Sequence, residues 1–230
     1  MELFFKDEAV VLKKTQVGDT DLSILVFMKN TGKENIYIPK GQLIKSFFPS
    51  VSEPFNWFKG VFFRKKGKVF IKEVEQFQNL AFPISKDINR FYTGAFILSS
   101  FNRYVFFNDE KLFIFLKKTI YYLTKIEDFE IFKLNFLAKL IYLSGIYPQL
   151  DECVHCRKKI NKKNFGGISV QKAGCLCKKC SADKGSFLDF DDILDLKKLQ
   201  NVSFKNLEKV KLKHPKRLVF FLEDYLSKKM

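Results

Sequence analysis

The stretch LSGIYPQLDECVHC, residues 143–156, together with GCLCKKC, residues 174–180, decides how this chain is put together. Gly145 reads as a helix C-cap, because glycine alone takes the left-handed conformation after a last helical turn without a side-chain penalty. Two C-x-x-C pairs follow, Cys153/Cys156 and Cys177/Cys180. Each pair presents two thiolates to one side of an ion, and the roughly 20 residues between the pairs bring the second round to meet the first. The spacing therefore predicts one structural zinc ion held by Cys153, Cys156, Cys177 and Cys180. Four protein thiolates fill a tetrahedral shell and leave no position for a catalytic water. A redox motif would need only one such pair, and disulfides are disfavoured in a cytoplasmic chain. His155 is expected to face solvent and Cys175 to be a spare thiol. The surrounding Arg157, Lys158, Lys159, Lys162, Lys163, Lys178 and Lys179 suit a site whose four thiolates leave the ion net negative.

Outward from the cysteines the periodicity is helical. Upstream, 87–107, 110–125 and 127–144 carry apolar residues at three- and four-residue spacing, with Ser85 and Asp109 as candidate N-caps. Downstream, the helical pattern returns at 191–199 and 215–229. Residues 151–185 have little apolar periodicity and need something other than a hydrophobic core to hold them.

From Glu8 to Glu75 the pattern is instead short runs of Val, Ile, Phe and Tyr, expected as strands at 9–14, 22–28, 34–39, 55–63 and 68–74. Turn residues punctuate them: Gly18-Asp19, Asn30-Thr31-Gly32 and Lys65-Lys66-Gly67. Five short strands in so small a region predict a closed or partly closed barrel, since an open sheet would leave its edges exposed. The expected fold is thus α+β multidomain: a β-barrel in 1–80, an all-α helical domain in 81–150 and 186–230, and a four-cysteine zinc-binding element inserted at 151–185.

The charge points to a polyanionic partner. Lys plus Arg number 41 against 25 Asp plus Glu, a formal net charge of +16. The excess is spread along the chain and densest around the cysteines, so it is no disordered basic tail. The 28 Phe must mostly be core, because each buries a large apolar area. Charged residues from Glu2 to Glu8 argue against an export signal, and no stretch approaches the length of uncharged sequence a membrane span needs, so the expectation is a cytoplasmic protein without a membrane partner. An enzyme is disfavoured as well. The two histidines are His155 and His214, no metal-hydrolase or phosphate-loop motif is present, and Asp189, Asp191, Asp192 and Asp195 sit where Asp ordinarily caps a helix.

The 143–156 stretch, with Phe165-Gly-Gly and Cys177-Lys-Lys-Cys180 behind it, resembles the RecO family, in which a helix ends in Gly-Tyr-x-Pro-x-Leu-x-x-Cys-x-x-Cys. Ala9-Val-Val-Leu, Gly18-Asp-Thr-Asp-Leu, Gly32-Lys33, Lys40-Gly41 and Lys45-Ser46 fall in the order of that family's first domain. The resemblance implies that the barrel is an OB-fold nucleic-acid-binding domain. It implies a non-catalytic DNA repair and recombination mediator that binds single- and double-stranded DNA and anneals complementary strands. Its partners would be RecR, the acidic C-terminal tail of single-stranded DNA-binding protein and, indirectly, RecA. Two features depart from the family's pattern: Cys175 is extra, and Lys replaces much of the Arg, which makes phosphate contacts less bidentate. The competing reading is a zinc-ribbon scaffold associated with nucleic acid.

Within such a barrel the residues expected to meet phosphates are Lys13, Lys14, Lys40, Lys45, Arg64, Lys65, Lys66 and Lys68. Trp57, Phe55, Phe62 and Phe63 are either stacking faces for bases or barrel core. An apolar pocket with a basic rim, suited to an acidic tail, is expected in the helices from Phe96, Phe101, Phe106, Phe113 and Phe115 beside Arg90, Arg103, Lys117 and Lys118.

Overall fold

The computed structural model describes residues 3–43, 48–181 and 187–230. They form an α+β protein of two compact units, one ending at Ile126 and the other starting at Glu127.

The first unit begins with β1, Leu3–Val17, long enough to serve two neighbours. Its first half pairs antiparallel with β4, Trp57–Lys65, and its second half with β2, Asp21–Met28. The register slips between Val11 and Lys13, an irregularity that lets one strand bend from one partner to the other. β3, Gly32–Ile38, continues from β2 and makes a short parallel contact with β5, Lys68–Gln78, which returns to β4. The order β1-β2-β3-β5-β4 closes into a barrel, removing the open edges. Alternate residues point inward: Ile24, Val26, Ile36, Phe58, Phe62 and Val69 are buried in its core.

The strands expected from sequence are all present. β1, however, starts earlier than its apolar run. Lys6, Asp7 and Glu8 break the alternation, yet Asp7 is buried and its carboxylate accepts the backbone N–H groups of Glu8 and Asn30, closing the β2–β3 turn.

A single turn, α1 (Phe48–Val51), lies between β3 and β4, and α2 (Ala81–Ser85), α3 (Ile88–Tyr104) and α4 (Glu110–Leu123) follow β5. Buried Asn56 ties barrel to helices: its Oδ1 accepts from the N–H groups of Leu80 and Ala81 at 2.9 and 2.8 Å, and its Nδ2 donates to the Ser50 carbonyl. Asp109 caps α4 as expected, but Ser85 caps nothing. It ends α2, donating to the Phe82 carbonyl, and Asp87 caps α3 through the N–H of Arg90. The carboxylate outcompetes the hydroxyl because the helix N-terminus favours negative charge.

The second unit is built on α5, Phe129–Leu143, apolar on nearly every side and packed against both α6, Phe190–Asn201, and α7, Pro215–Lys229. Gly145 follows α5 with φ +74°, as a C-terminal glycine should. Tyr147 donates to the Leu196 carbonyl and Tyr225 to that of Ile146, fixing the segment that leads to the cysteines. β6, Phe165–Ser169, and β7, Gly174–Cys177, form a hairpin there that the sequence pattern does not announce. A 3-10 turn, Phe204–Lys209, connects α6 to α7. The acidic run resolves into a cap: Asp189 and Asp192 form a capping box on α6, and Arg217 donates to both carboxylates.

Candidate metal centre and nucleic-acid interface

The second unit brings Cys153, Cys156, Cys177 and Cys180 together, with all four sulfurs within 4.8 Å of one another. Local backbone explains why. After Cys153 the chain turns so that the Arg157 N–H donates to the Cys153 carbonyl at 2.8 Å, with Arg157 at φ +61°. The second knuckle repeats this as the Cys180 and Ser181 N–H groups donate to the Cys177 carbonyl at 2.8 and 2.9 Å. The two are laced together by the Val154 N–H donating to the Cys175 carbonyl. Gly166 is required by this crossing, since a Cβ there would lie 2.7 Å from the Lys178 nitrogen.

The sulfur spacing fits a metal. Tetrahedral coordination at about 2.3 Å sets sulfurs about 3.8 Å apart, and Cys156 Sγ stands 3.7 Å from Cys177 Sγ, far outside a disulfide bond. Burial pushes the Cys153 thiol up, but the N–H groups of Cys156, Cys177 and His155 outweigh it and bring the thiol to about 6, while burial and the neighbouring sulfurs push the Cys180 thiol up to about 12. Cys175 lies apart from this set. It is fully buried on β7, and burial pushes its thiol to about 12, so it behaves as a small apolar side chain. His155 is exposed.

The eight phosphate-contact candidates fall in different places. Arg64, Lys65, Lys66 and Lys68 gather at the β4–β5 turn, where Lys66 (φ +48°) and Gly67 (φ +76°) form a two-residue hairpin bend. Lys65, Lys66 and Lys68 are exposed there, while Arg64 is held by Glu34 at 2.6 Å. Lys13 and Lys14 stand on β1 beside a cleft of about 850 Å3 walled by Phe55, Phe82 and Phe91, and Lys14 is paired with Glu53. Lys40 is exposed past the end of β3, its N–H donating to Asp21. Lys45 lies outside the described residues.

The four aromatic candidates separate cleanly. Phe62 is core. Phe55, at φ +79°, is buried against α3. Trp57 has its ring covered by the Lys117 ammonium at 3.5 Å and its Nε1 donating to Glu8. Phe63 shares the outward face of β4 with Trp57 and is half-buried between Phe4 and Phe70.

The residues expected to form a tail pocket do not converge. Phe101, Phe113 and Phe115 are buried, and Phe106 is 74% exposed under Lys33. Phe113, Lys117 and Lys118 do meet, in a hollow of about 360 Å3 completed by Glu8, Lys29, Gln78, Ile114 and Tyr121. Lys29 comes from the end of the β2 hairpin, so helical periodicity could not have supplied it. Among the described residues no helix is long and apolar enough to cross a membrane.

A family model described as Recombination protein O C terminal matches residues 86–228. Over 209 aligned positions the chain is 30% identical to the DNA repair protein RecO of Thermoanaerobacter sp., covering 88% of this chain and 78% of that protein. It is 26% identical to the DNA repair protein RecO of Halalkalibacterium halodurans, covering 92% and 86%. The corresponding protein of Clostridium novyi is 27% identical, with 98% and 90% covered. The knuckle geometry and these likenesses lead to one conclusion: the chain belongs to the RecO family of DNA repair proteins.

Proposed function

We propose that this chain is a non-catalytic DNA repair and recombination mediator. It binds single- and double-stranded DNA, anneals complementary strands, and helps RecR load RecA onto DNA coated by single-stranded DNA-binding protein. The observation that carries the DNA-binding part is the exposed cluster of Lys65, Lys66 and Lys68 with Arg64 at one turn of a closed barrel, in a chain of net charge +16. Its five-stranded closed barrel supports reading the first region as an OB-fold, a scaffold suited to single strands because a basic surface can follow the phosphates while bases stack on aromatic faces.

In this reading the protein's domains are the barrel at 1–80, the helices at 81–150 and 186–230, and the metal element at 151–185. It works in the cytoplasm. Cys153, Cys156, Cys177 and Cys180 would hold one zinc ion, which supplies rigidity to a segment with little core of its own. The hollow lined by Glu8, Lys29, Phe113, Lys117 and Lys118 would take the acidic, apolar tail of single-stranded DNA-binding protein, its carboxylates meeting Lys118 and displacing Glu110 and Glu8 from Lys29 and Lys117, and its apolar side chains meeting the ring of Phe113.

Annealing needs no base-edge readout, so affinity rests on phosphate contacts and falls steeply with salt. The test is annealing of two complementary oligonucleotides coated with single-stranded DNA-binding protein, across a salt series, with zinc measured by emission spectrometry. Faster annealing that fades with salt, at about one zinc per chain, is the expected result. No annealing by a folded, zinc-loaded protein would overturn it in favour of a scaffold that reaches nucleic acid through its partners.

A further inference from the structure

The outer wall of the barrel carries a row of aromatic side chains that inward-facing core requirements do not explain. Register places Phe4 of β1 opposite Phe63 of β4, Phe63 opposite Phe70 of β5, and Phe70 opposite Tyr37 of β3. Successive ring centroids are 5.8, 5.0 and 5.8 Å apart, and Phe63 and Phe70 are stacked at 13°. Their neighbours Phe5 and Phe62 point the other way and stack inside. Four strands therefore offer one aromatic residue each, at one level, on the surface facing away from the core.

Charge accompanies the row. Lys72 stands 4.6 Å over Phe4 at one end and Lys68 5.1 Å over Tyr37 at the other. The central rings lie within a few residues of the basic turn, and register sets Lys65 directly opposite Lys68. Tyr37 is pinned by its hydroxyl, which donates to Asp21. Single exposed aromatic residues are ordinary on a sheet surface, but a contiguous band beside concentrated cations marks an interaction site.

We infer that single-stranded nucleic acid crosses this wall, with consecutive bases stacked along Phe4, Phe63, Phe70 and Tyr37 and phosphates drawn to Lys65, Lys66, Lys68 and Lys72. This rests on the reading of the protein as a DNA binder and specifies which wall of the barrel it uses. A duplex hides its base faces and gains nothing from the rings, so the row sets a preference for unpaired strands, which an annealing protein must grip until the complement arrives.

The experiment compares fluorescence-anisotropy titrations of the full, zinc-loaded chain with labelled oligothymidylate and with an abasic strand of equal length, at several salt concentrations. Phe63→Leu and Phe70→Leu keep apolar bulk but remove the stacking face. Phe4→Leu, at a 49% exposed site near the strand start, serves as a variant whose folding is not at stake. The native chain should prefer the base-bearing strand by about tenfold or more, and each leucine should cut that preference by about five- to tenfold with the salt slope unchanged. Lys65→Ala with Lys66→Ala should do the converse, flattening the salt slope while preserving the preference. Equal affinity of the native chain for both strands, or a preference untouched by all three leucines, overturns the aromatic track while leaving DNA binding intact. No binding of either strand overturns the underlying DNA-binding reading as well.

Discussion

The barrel and the cysteine element solve the same problem in opposite ways. The barrel closes on itself around a continuous apolar core in which Phe58 and Phe62 are fully buried. The segment from 149 to 181 has a two-stranded hairpin and few buried apolar side chains, and a hairpin alone is marginal in water. Its four sulfurs converge at one point, and its order is expected to depend on a metal held there. One region spreads its stability over many contacts, and the other concentrates it at a point, so the two should fail differently.

The largest expected effect follows from that concentration. Cys177→Ser, or removal of zinc by a chelator, should abolish metal binding and release amide protection across 149–181, while protection in β1–β5 stays at its native level. Hydrogen exchange with zinc analysis measures both. Retained protection without metal would show that the hairpin has a core of its own. The converse change is Phe62→Ala, expected to cost about 3–5 kcal/mol. It should lower the denaturation midpoint of the barrel while the protein still carries its full zinc complement.

The two regions also differ in how much of them could be read in advance. The convergence of the four cysteines was legible because the chemistry of a four-sulfur metal site asks for this residue type at this spacing. The strands were legible from their alternation, but the start of β1 was not. Its charged residues include Asp7, whose burial is compensated by backbone donors that only the folded turn provides. β6 and β7 escaped because Gly166 and Gly167 lower strand propensity, and only the close crossing at Lys178 shows why glycine is needed. Helical periodicity located α3, α4 and α5, yet nothing in it could show that α5 packs with α6 and α7, or that Lys29 would join Lys117 across the first unit. The outward ring row was barely visible: Phe63 was one of four aromatic residues that alternation left as stacking face or core, and Phe4, Phe70 and Tyr37 join it only through register.

Cys175 tests whether the metal site needs more than four sulfurs. Cys175→Ala removes a buried side chain outside the ligand cluster, so the cost should be about 1 kcal/mol, with zinc stoichiometry unchanged. Loss of zinc in this variant would mean that the C-x-C pair, and not Cys177-x-x-Cys180, supplies the ligands.

The smallest effect lies on the first unit's surface, where Glu8 accepts from both Lys117 at 2.9 Å and the Trp57 indole at 3.1 Å. Burial pushes the Glu8 carboxyl up, but Lys117 and the indole outweigh it and hold it below its ordinary value of 4.5. A carboxyl depressed by folding contributes stability that is present above its unfolded value and lost as pH falls through the folded one. Glu8→Gln should therefore cost about 0.5 kcal/mol at neutral pH, reduced by solvent because the pair is partly exposed. That difference should shrink once the pH drops below about 4, where the native glutamate is protonated too. Urea denaturation of both proteins at neutral and acid pH decides it. A penalty that persists in acid would assign the role of Glu8 to its contact with Trp57, and the lysine over that ring would then be held by the aromatic face alone.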